Sequence, residues 1–428
     1  MPADAESAIL DIGRALDAAH PSRARHPLKA LDERAMHLAT QDRELRAALF
    51  RLVDVTPACA SLDDLARHLA GFLEEVPERP PPLQAAMRMA ESRAGRAALG
   101  AAAAAGVRHM AHRFIVGATP KDAVPALREL WRRGISASVD LLGEATVTDA
   151  EADRYAERCA EALDVLAEAS QRHSLPAANL SVKVSALTPR MRPEAPEVGA
   201  ADAARRLRPL LERARDAGAH LHIDMESLDT REATLALVFD LLDEEGLREG
   251  PSAGLVLQAY LRDSPAELDT ILAWLERSPR RAPFVVRLVK GAYWDHEVVE
   301  ARQHGWSPPV FEDKAECDRN FETLTRRLLD ARPRVQVAVA SHNLRSVAHA
   351  IAHAGSGDVE LQVLRGLGDD LAAALAAGGH TVRMYCPVGD LVAGMAYLVR
   401  RLLENTSNES FLAAQAEGVP VEELLRAP

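Results

Sequence analysis

The chain has 428 residues, 48% hydrophobic, 27% charged and only 4% aromatic, with a formal net charge of −12. That length suits a large barrel with an accessory piece rather than one small domain. The acidic balance, without any basic block or aromatic-interleaved basic patch, excludes a nucleic-acid binder, and no apolar run reaches the ~18 residues that a membrane span needs.

The start carries no charged-then-apolar signal pattern. Cys59, Cys159, Cys317 and Cys386 are widely spaced and form no C-x-x-C pair, as expected of reduced cytoplasmic thiols rather than a disulfide or zinc framework. Only five of the 51 basic residues are lysine (Lys29, Lys121, Lys183, Lys290, Lys314), and there are five tyrosines (Tyr155, Tyr260, Tyr293, Tyr385, Tyr397). Where these scarce side chains fall carries information.

Up to about residue 110 the pattern is helical, with apolar positions at helical spacing in 8–19, 31–40, 43–53, 61–73 and 83–95. Ser61 followed by Asp64 makes a box-like helix start, and Thr40-Gln41-Asp42 offers another. The proline-rich run 77–82 reads as a connector. This gives a helical accessory domain over 1–110.

From Arg113 short apolar runs alternate with amphipathic segments. The runs are 114–117, 137–142, 180–186, 221–225, 254–260, 284–289, 335–340 and 359–364. Between them lie the helical patterns 121–133, 149–172, 200–217, 230–245 and 265–277. Eight strand candidates with crossover-length connections predict an α/β fold of the (β/α)8 TIM-barrel type over 111–428. A doubly wound sheet is the alternative, weakened because no G-x-G-x-x-G follows a strand.

Barrels of this type carry function at the C-terminal ends of their strands. Those ends hold Glu144, Lys183 and Ser185, Asp224 and Glu226, Gln258 and Tyr260, then Arg287, Lys290, Tyr293 and Trp294. His342, Asn343, Gln362 and Arg365 follow, and a further short apolar piece, 382–385, precedes a last helix. On that helix Tyr397, Arg400, Arg401 and Glu404 share one face. Two readings of it stay open: a solvated Arg–Glu pair, or an anion-binding face. The cations Lys183, Arg287, Lys290, Arg365, Arg400 and Arg401 suit an anionic ligand with phosphates and a second small anion. No serine-hydrolase elbow, P-loop or metal-ligand spacing occurs. Glu144, Asp224 and Glu226 could instead serve glycoside hydrolysis, but the scarcity of aromatics speaks against sugar platforms.

Six segments carry a resemblance. They are Ser181-Val-Lys-Val-Ser-Ala-Leu187, Leu257-Gln-Ala-Tyr260, Val286-Arg-Leu-Val-Lys-Gly-Ala-Tyr-Trp-Asp295, Ser341-His-Asn343, Arg383-Met-Tyr385-Cys-Pro-Val-Gly389 and Tyr397-Leu-Val-Arg-Arg-Leu-Leu-Glu-Asn405. Together they resemble the proline dehydrogenases, above all the proline dehydrogenase half of the bifunctional proline utilisation A enzymes. The likeness runs in order from about residue 113 to 411, and the helical N-terminal region also resembles the domain that precedes the barrel there.

The resemblance implies a distorted barrel that binds FAD noncovalently. It implies oxidation of L-proline to Δ1-pyrroline-5-carboxylate by hydride transfer to flavin N5, with electrons passed to a membrane quinone. A cytoplasmic protein with peripheral membrane association follows. Arg400 and Arg401 would hold the substrate carboxylate, with Lys183 as a further cation. Asp224, Leu364, Tyr385 and Tyr397 would complete the proline pocket, and the bulk of Tyr385 should disfavour 4-hydroxyproline. Gln258, Arg287, Lys290, Gly291, Trp294, His342, Asn343 and Glu404 would line the flavin. Glu144 and Tyr293 match positions close to the pocket. No metal is implied.

The chain departs from the family pattern at Glu312-Asp313-Lys314, where Thr-Arg-Lys is usual, at Arg365, where His or Tyr is frequent, and at 390–394. No ribbon-helix-helix segment precedes the barrel. The tail 417–428 stops where a linker to a C-terminal pyrroline-5-carboxylate dehydrogenase domain would begin, so a stand-alone enzyme and the first half of a bifunctional one are both compatible. A catalytically silent barrel that senses proline or flavin is the binding-only alternative.

Overall fold

The computed structural model describes residues 3–19, 43–77, 81–143, 146–390, 394, 414 and 418–428. The expectations for 31–40, Glu144, Tyr397, Arg400, Arg401 and Glu404 lie outside the described residues. The chain divides into two compact units, one of Met1–His20, Thr119–Val388 and Pro420–Pro428, the other of Pro21–Ala118 and Gly389–Val419.

The first unit contains the expected barrel. Strands β1 (Ile135–Leu141), β2 (Asn179–Lys183), β3 (His220–Asp224), β4 (Ser252–Gln258), β5 (Phe284–Val289), β6 (Gln336–Ala340), β7 (Glu360–Leu364) and β8 (Val382–Val388) close in sequence order. Every neighbouring pair is parallel. The strands are short and apolar because helices cover their outer faces while side chains fill the interior. Entry into two of the covering helices is fixed by capping boxes, Thr119 with Asp122 before Pro120–Arg132 and Thr148 with Glu151 before Asp149–His173.

The strand identities differ from the expectation at both ends. Residues 114–117 are not the first strand, because the alanine-rich helix Arg93–Phe114 runs through to Phe114 and leaves too few residues for a ladder. Alanine is the best helix former, so the run from Ala98 to Ala105 favours that continuation. The eighth place belongs to 382–388, read from the sequence only as a further short piece. It pairs with β1 over seven residues, from Ile135↔Val382 to Leu141↔Val388, and so closes the barrel.

Helix Ala3–Ala18 groups with the barrel unit, whereas the sequence reading placed it in a domain ending near residue 110. Arg345, on the helix Leu344–Ala354, holds it. Its guanidinium donates to both Glu6 oxygens at 2.6 and 3.0 Å, and to the Leu425 carbonyl at 2.8 Å.

In the second unit, helices Arg43–Val55, Leu62–Glu74, Pro81–Ala90 and Arg93–Phe114 pack through Leu45, Leu52, Leu65, Leu69, Leu73 and Leu99. Ser61 caps the second of these as expected, accepting from the Asp64 backbone N–H at 3.1 Å. The proline run corrects one expectation: Pro81 and Pro82 open a helix rather than only connect, since the first-turn N–H groups that proline lacks have no intrahelical partner anyway.

Candidate active site

Alternation along the strands turns Ser138 and Asp140 of β1, Lys183 of β2, Asp224 of β3, Arg287 of β5 and Tyr385 of β8 into the barrel, where their side chains meet. Arg287 donates to Asp224 Oδ1 at 2.8 Å, and its other terminal nitrogen reaches Ser181 Oγ at 3.2 Å and Ser138 Oγ at 3.4 Å. Tyr385 donates its phenol proton to Asp224 Oδ2 at 2.7 Å, and the Arg287 guanidinium lies 5.3 Å from the Tyr385 ring centre. Lys183 Nζ donates to Asp140 and stands 3.6 Å from Asp224 Oδ2.

Two carboxylates thus face two cations, a formally neutral quartet. Asp140 and Arg287 are buried, with 1% and 4% exposure, so neither charge survives without its partners. Burial alone would lower the Lys183 ammonium, but Asp140 and Asp224 outweigh it and hold it above its ordinary value. Burial, followed by the same two carboxylates, drives the Tyr385 phenol well above the usual tyrosine range. Tyr385 is therefore a hydrogen-bond donor at neutral pH, not a base.

One level further along the strands, Gln258 is 2% exposed and donates to the Glu226 carbonyl at 3.2 Å. Its side-chain oxygen is buried without a protein partner, as is Nε of Arg287. Glu226 accepts from the Ser185 hydroxyl, and burial raises its carboxyl.

Lys290 follows β5 and donates to Asp318, which also accepts from Lys314 at 2.6 Å. Burial lowers the Lys290 ammonium. Gly291 has φ +140°, and a Cβ there would come within 2.3 Å of the Tyr260 ring, so only glycine fits. His342 Nε2 accepts from the Leu364 backbone N–H at 2.9 Å, which leaves the ring proton on Nδ1. Asn343 caps the helix Leu344–Ala354 by accepting from Ser346 N–H at 3.0 Å, and the Trp294 indole donates to the Phe311 carbonyl at 2.8 Å.

Of the expected residues, Lys183, Asp224, Arg287 and Tyr385 form one connected cluster, and Leu364 and His342 meet each other. Lys290, Gly291 and Trp294 sit in and beyond the loop after β5. Asp140 was missed. Its signal was present, as the lone charge within the otherwise uncharged strand Ile135–Leu141.

Among the described residues, an eight-stranded parallel barrel with polar side chains converging inside it defines a (β/α)8 protein. The model of the proline dehydrogenase family matches residues 123–414, and that of the proline utilization A N-terminal domain matches 6–114. The chain belongs to the proline dehydrogenase family.

The Bifunctional protein PutA of Klebsiella aerogenes is 33% identical over 335 residues, covering 75% of this chain and 25% of that protein. Proline dehydrogenase 1 of Bacillus subtilis is 29% identical over 317 residues, covering 73% and 92%. Among solved structures, proline utilization A from Bdellovibrio bacteriovorus, inactivated by N-propargylglycine, superposes with a TM-score of 0.89 at 32% identity. That match covers 99% of this chain and 44% of the other. The chain spans about a quarter of the length of the bifunctional relative.

Proposed function

We propose that this chain oxidises L-proline to Δ1-pyrroline-5-carboxylate with FAD as its cofactor, and passes the electrons to a quinone. The observation that carries the reading is the quartet of Asp140, Lys183, Asp224 and Arg287, two of its members buried and two partly so, with Tyr385 hydrogen-bonded to it, inside a barrel of the proline dehydrogenase family.

The residues present fit a flavin. Gln258 Oε1 is a buried acceptor and Arg287 Nε a buried donor, neither with a protein partner, and a flavin ring edge carries both an N–H donor and carbonyl acceptors. Gln258, Arg287, Lys290, Gly291, Trp294, His342 and Asn343 would hold it, with Glu404 as a further residue that the resemblance implies. FAD supplies a two-electron acceptor for the hydrogen leaving the carbon beside the proline ring nitrogen.

The chain's own residues bind, orient and exclude water. By the resemblance, Arg400 and Arg401 would hold the substrate carboxylate, with Lys183 as a further cation. Asp224, held by Arg287 and Tyr385, fixes the phenol in place. Tyr385, Tyr397 and Leu364 supply the walls that keep water from the reacting carbon. Arg287 places a positive charge where negative charge builds on reduction. No protein nucleophile is needed, since orientation and electrostatics suffice for this chemistry.

No helix among the described residues is long and apolar enough to cross a membrane, in keeping with a cytoplasmic enzyme that meets its quinone at the membrane surface. A pyrroline-5-carboxylate dehydrogenase, as a further domain or a separate protein, would consume the product. The test is steady-state turnover with a soluble quinone analogue, with the cyclic imine trapped by an aromatic amino aldehyde. L-proline should give one trapped imine per quinone reduced. Quinone reduction without imine, or equal rates with D-proline, would overturn the reading.

A further inference from the structure

In the helical unit, the turn leading into Leu62–Glu74 gathers three side chains of unlike chemistry. Cys59 Sγ, an Asp64 carboxylate oxygen and a His68 ring nitrogen all lie within 4.8 Å of one another. Asp64 and His68 stand one helical turn apart, with His68 Nε2 3.9 Å from Asp64 Oδ1. Cys59 lies two residues before the N-cap Ser61, and its thiol points back to the Val55 carbonyl at 3.5 Å.

The positions are supported. Asp64 Oδ2 accepts from the Ala60 N–H at 3.1 Å, which leaves Oδ1 toward His68. The His68 ring lies 5.9 Å from that of Phe72, one turn on. Such outer contacts orient metal ligands. Neighbouring guanidiniums do not claim Asp64, since Arg67 and Arg96 both donate to Asp63 instead.

We propose that Cys59, Asp64 and His68 bind one Zn2+ ion, with water in the fourth position. Tetrahedral zinc with sulfur, nitrogen and oxygen ligands needs donor separations of about 3.3–3.8 Å, so small side-chain rotations complete the shell. Thiolate with imidazole selects zinc over magnesium or calcium, which take oxygen ligands. Binding exchanges the Cys59 S–H bond for S–Zn and releases that proton to solvent, with no change of oxidation state. The ion would pin the segment before the helix to the helix itself, and the open fourth position would accept a small exchangeable ligand. The spacing C-x4-D-x3-H matches no familiar zinc signature, which is why the sequence alone gave no sign of it.

The test uses the untagged full chain, stripped of metal and titrated with Zn2+ in excess Mg2+. Wild type should bind one equivalent with release of about one proton per zinc, and C59S and H68N should each weaken binding roughly 100-fold. Both side chains are partly exposed, so the variants should keep wild-type circular dichroism. Loading with Co2+ gives a second readout, a thiolate-to-cobalt charge-transfer band present in wild type and absent in C59S. Equal zinc affinity in wild type, C59S and H68N would overturn the proposal. So would retention of the cobalt band in C59S with its loss in C317S, or wild-type binding only at millimolar zinc.

Discussion

Arg287 on β5 and Asp224 on β3 meet at 2.8 Å inside the barrel, although β4 separates their strands. Asp224 in turn accepts from Tyr385 on β8, so one carboxylate ties together three strands that are not neighbours. Any ligand that binds against this cluster meets side chains with little freedom to rearrange.

Replacing Arg287 by methionine leaves Asp224 with Lys183 as its nearest cation, at 3.6 Å. The flavin midpoint potential should fall, by about 30 mV for each ~1.4 kcal/mol of lost stabilisation of the reduced form, and turnover should fall with it. Spectroelectrochemistry and steady-state kinetics check this. A variant that keeps both values would remove Arg287 from the redox site.

Asp140→Asn strips Lys183 of its closer carboxylate. Breaking a buried pair this way costs about 3–5 kcal/mol, visible as a lower Tm. The Lys183 pKa is held up by Asp140 first and then Asp224 against burial, so it should drop in the variant. The alkaline limb of kcat/KM should therefore move to lower pH, with Asp140→Glu restoring part of the wild-type profile. An unmoved limb would show that the Lys183 charge does not govern substrate capture.

If Arg401 takes the proposed role of carboxylate clamp, Arg401→Met should raise the proline KM steeply, by about 2–5 kcal/mol of lost interaction, while flavin content stays near stoichiometric. Equal loss of flavin and proline binding would instead assign Arg401 to the cofactor or the fold.

His349 offers a pH test unrelated to activity. It is 1% exposed, its Nε2 accepts from Arg326 at 3.0 Å, and burial with Arg326 nearby lowers its pKa from 6.5 to about 3. Between pH 6.5 and 3 the unfolded chain binds this proton and the folded chain does not, so the contribution to stability is lost as pH falls. From pH 7 to 5 this one group should cost about 2 kcal/mol. Urea unfolding of wild type and His349→Gln at both pH values should thus show the gap between them narrowing by that amount at pH 5. A gap independent of pH would mean that the ring is already protonated, or not buried.

The barrel was legible because each βα unit pairs a short apolar run with a long amphipathic one, and this periodicity survives without tertiary information. Its closure was harder to read. Phe114-Ile115-Val116 looks as strand-like as Val382-Arg383-Met384 in isolation, and only the seven-residue register of β8 with β1 separates them. Lys183, Asp224, Arg287 and Tyr385 stood out as polar residues in apolar strands. Asp140 has the same signature, but its meaning depends on the inward alternation that places it opposite Ser181, within reach of Lys183 two residues further along β2. Asn343 caps its helix through Ser346, three residues on, a local signal that the reading of Ser341-His-Asn343 as a cofactor contact passed over, whereas the contact of Gly291 with Tyr260 is a property of distant packing that no local pattern carries.

Oxidation of L-proline through a bound flavin is the activity proposed for this barrel. Anaerobic titration of the FAD-loaded chain tests it most directly. L-proline should bleach the yellow flavin absorbance to completion at one equivalent of flavin reduced per imine formed, while D-proline leaves it unchanged. A protein that refuses FAD, or a flavin that stays yellow under excess L-proline, would contradict the account.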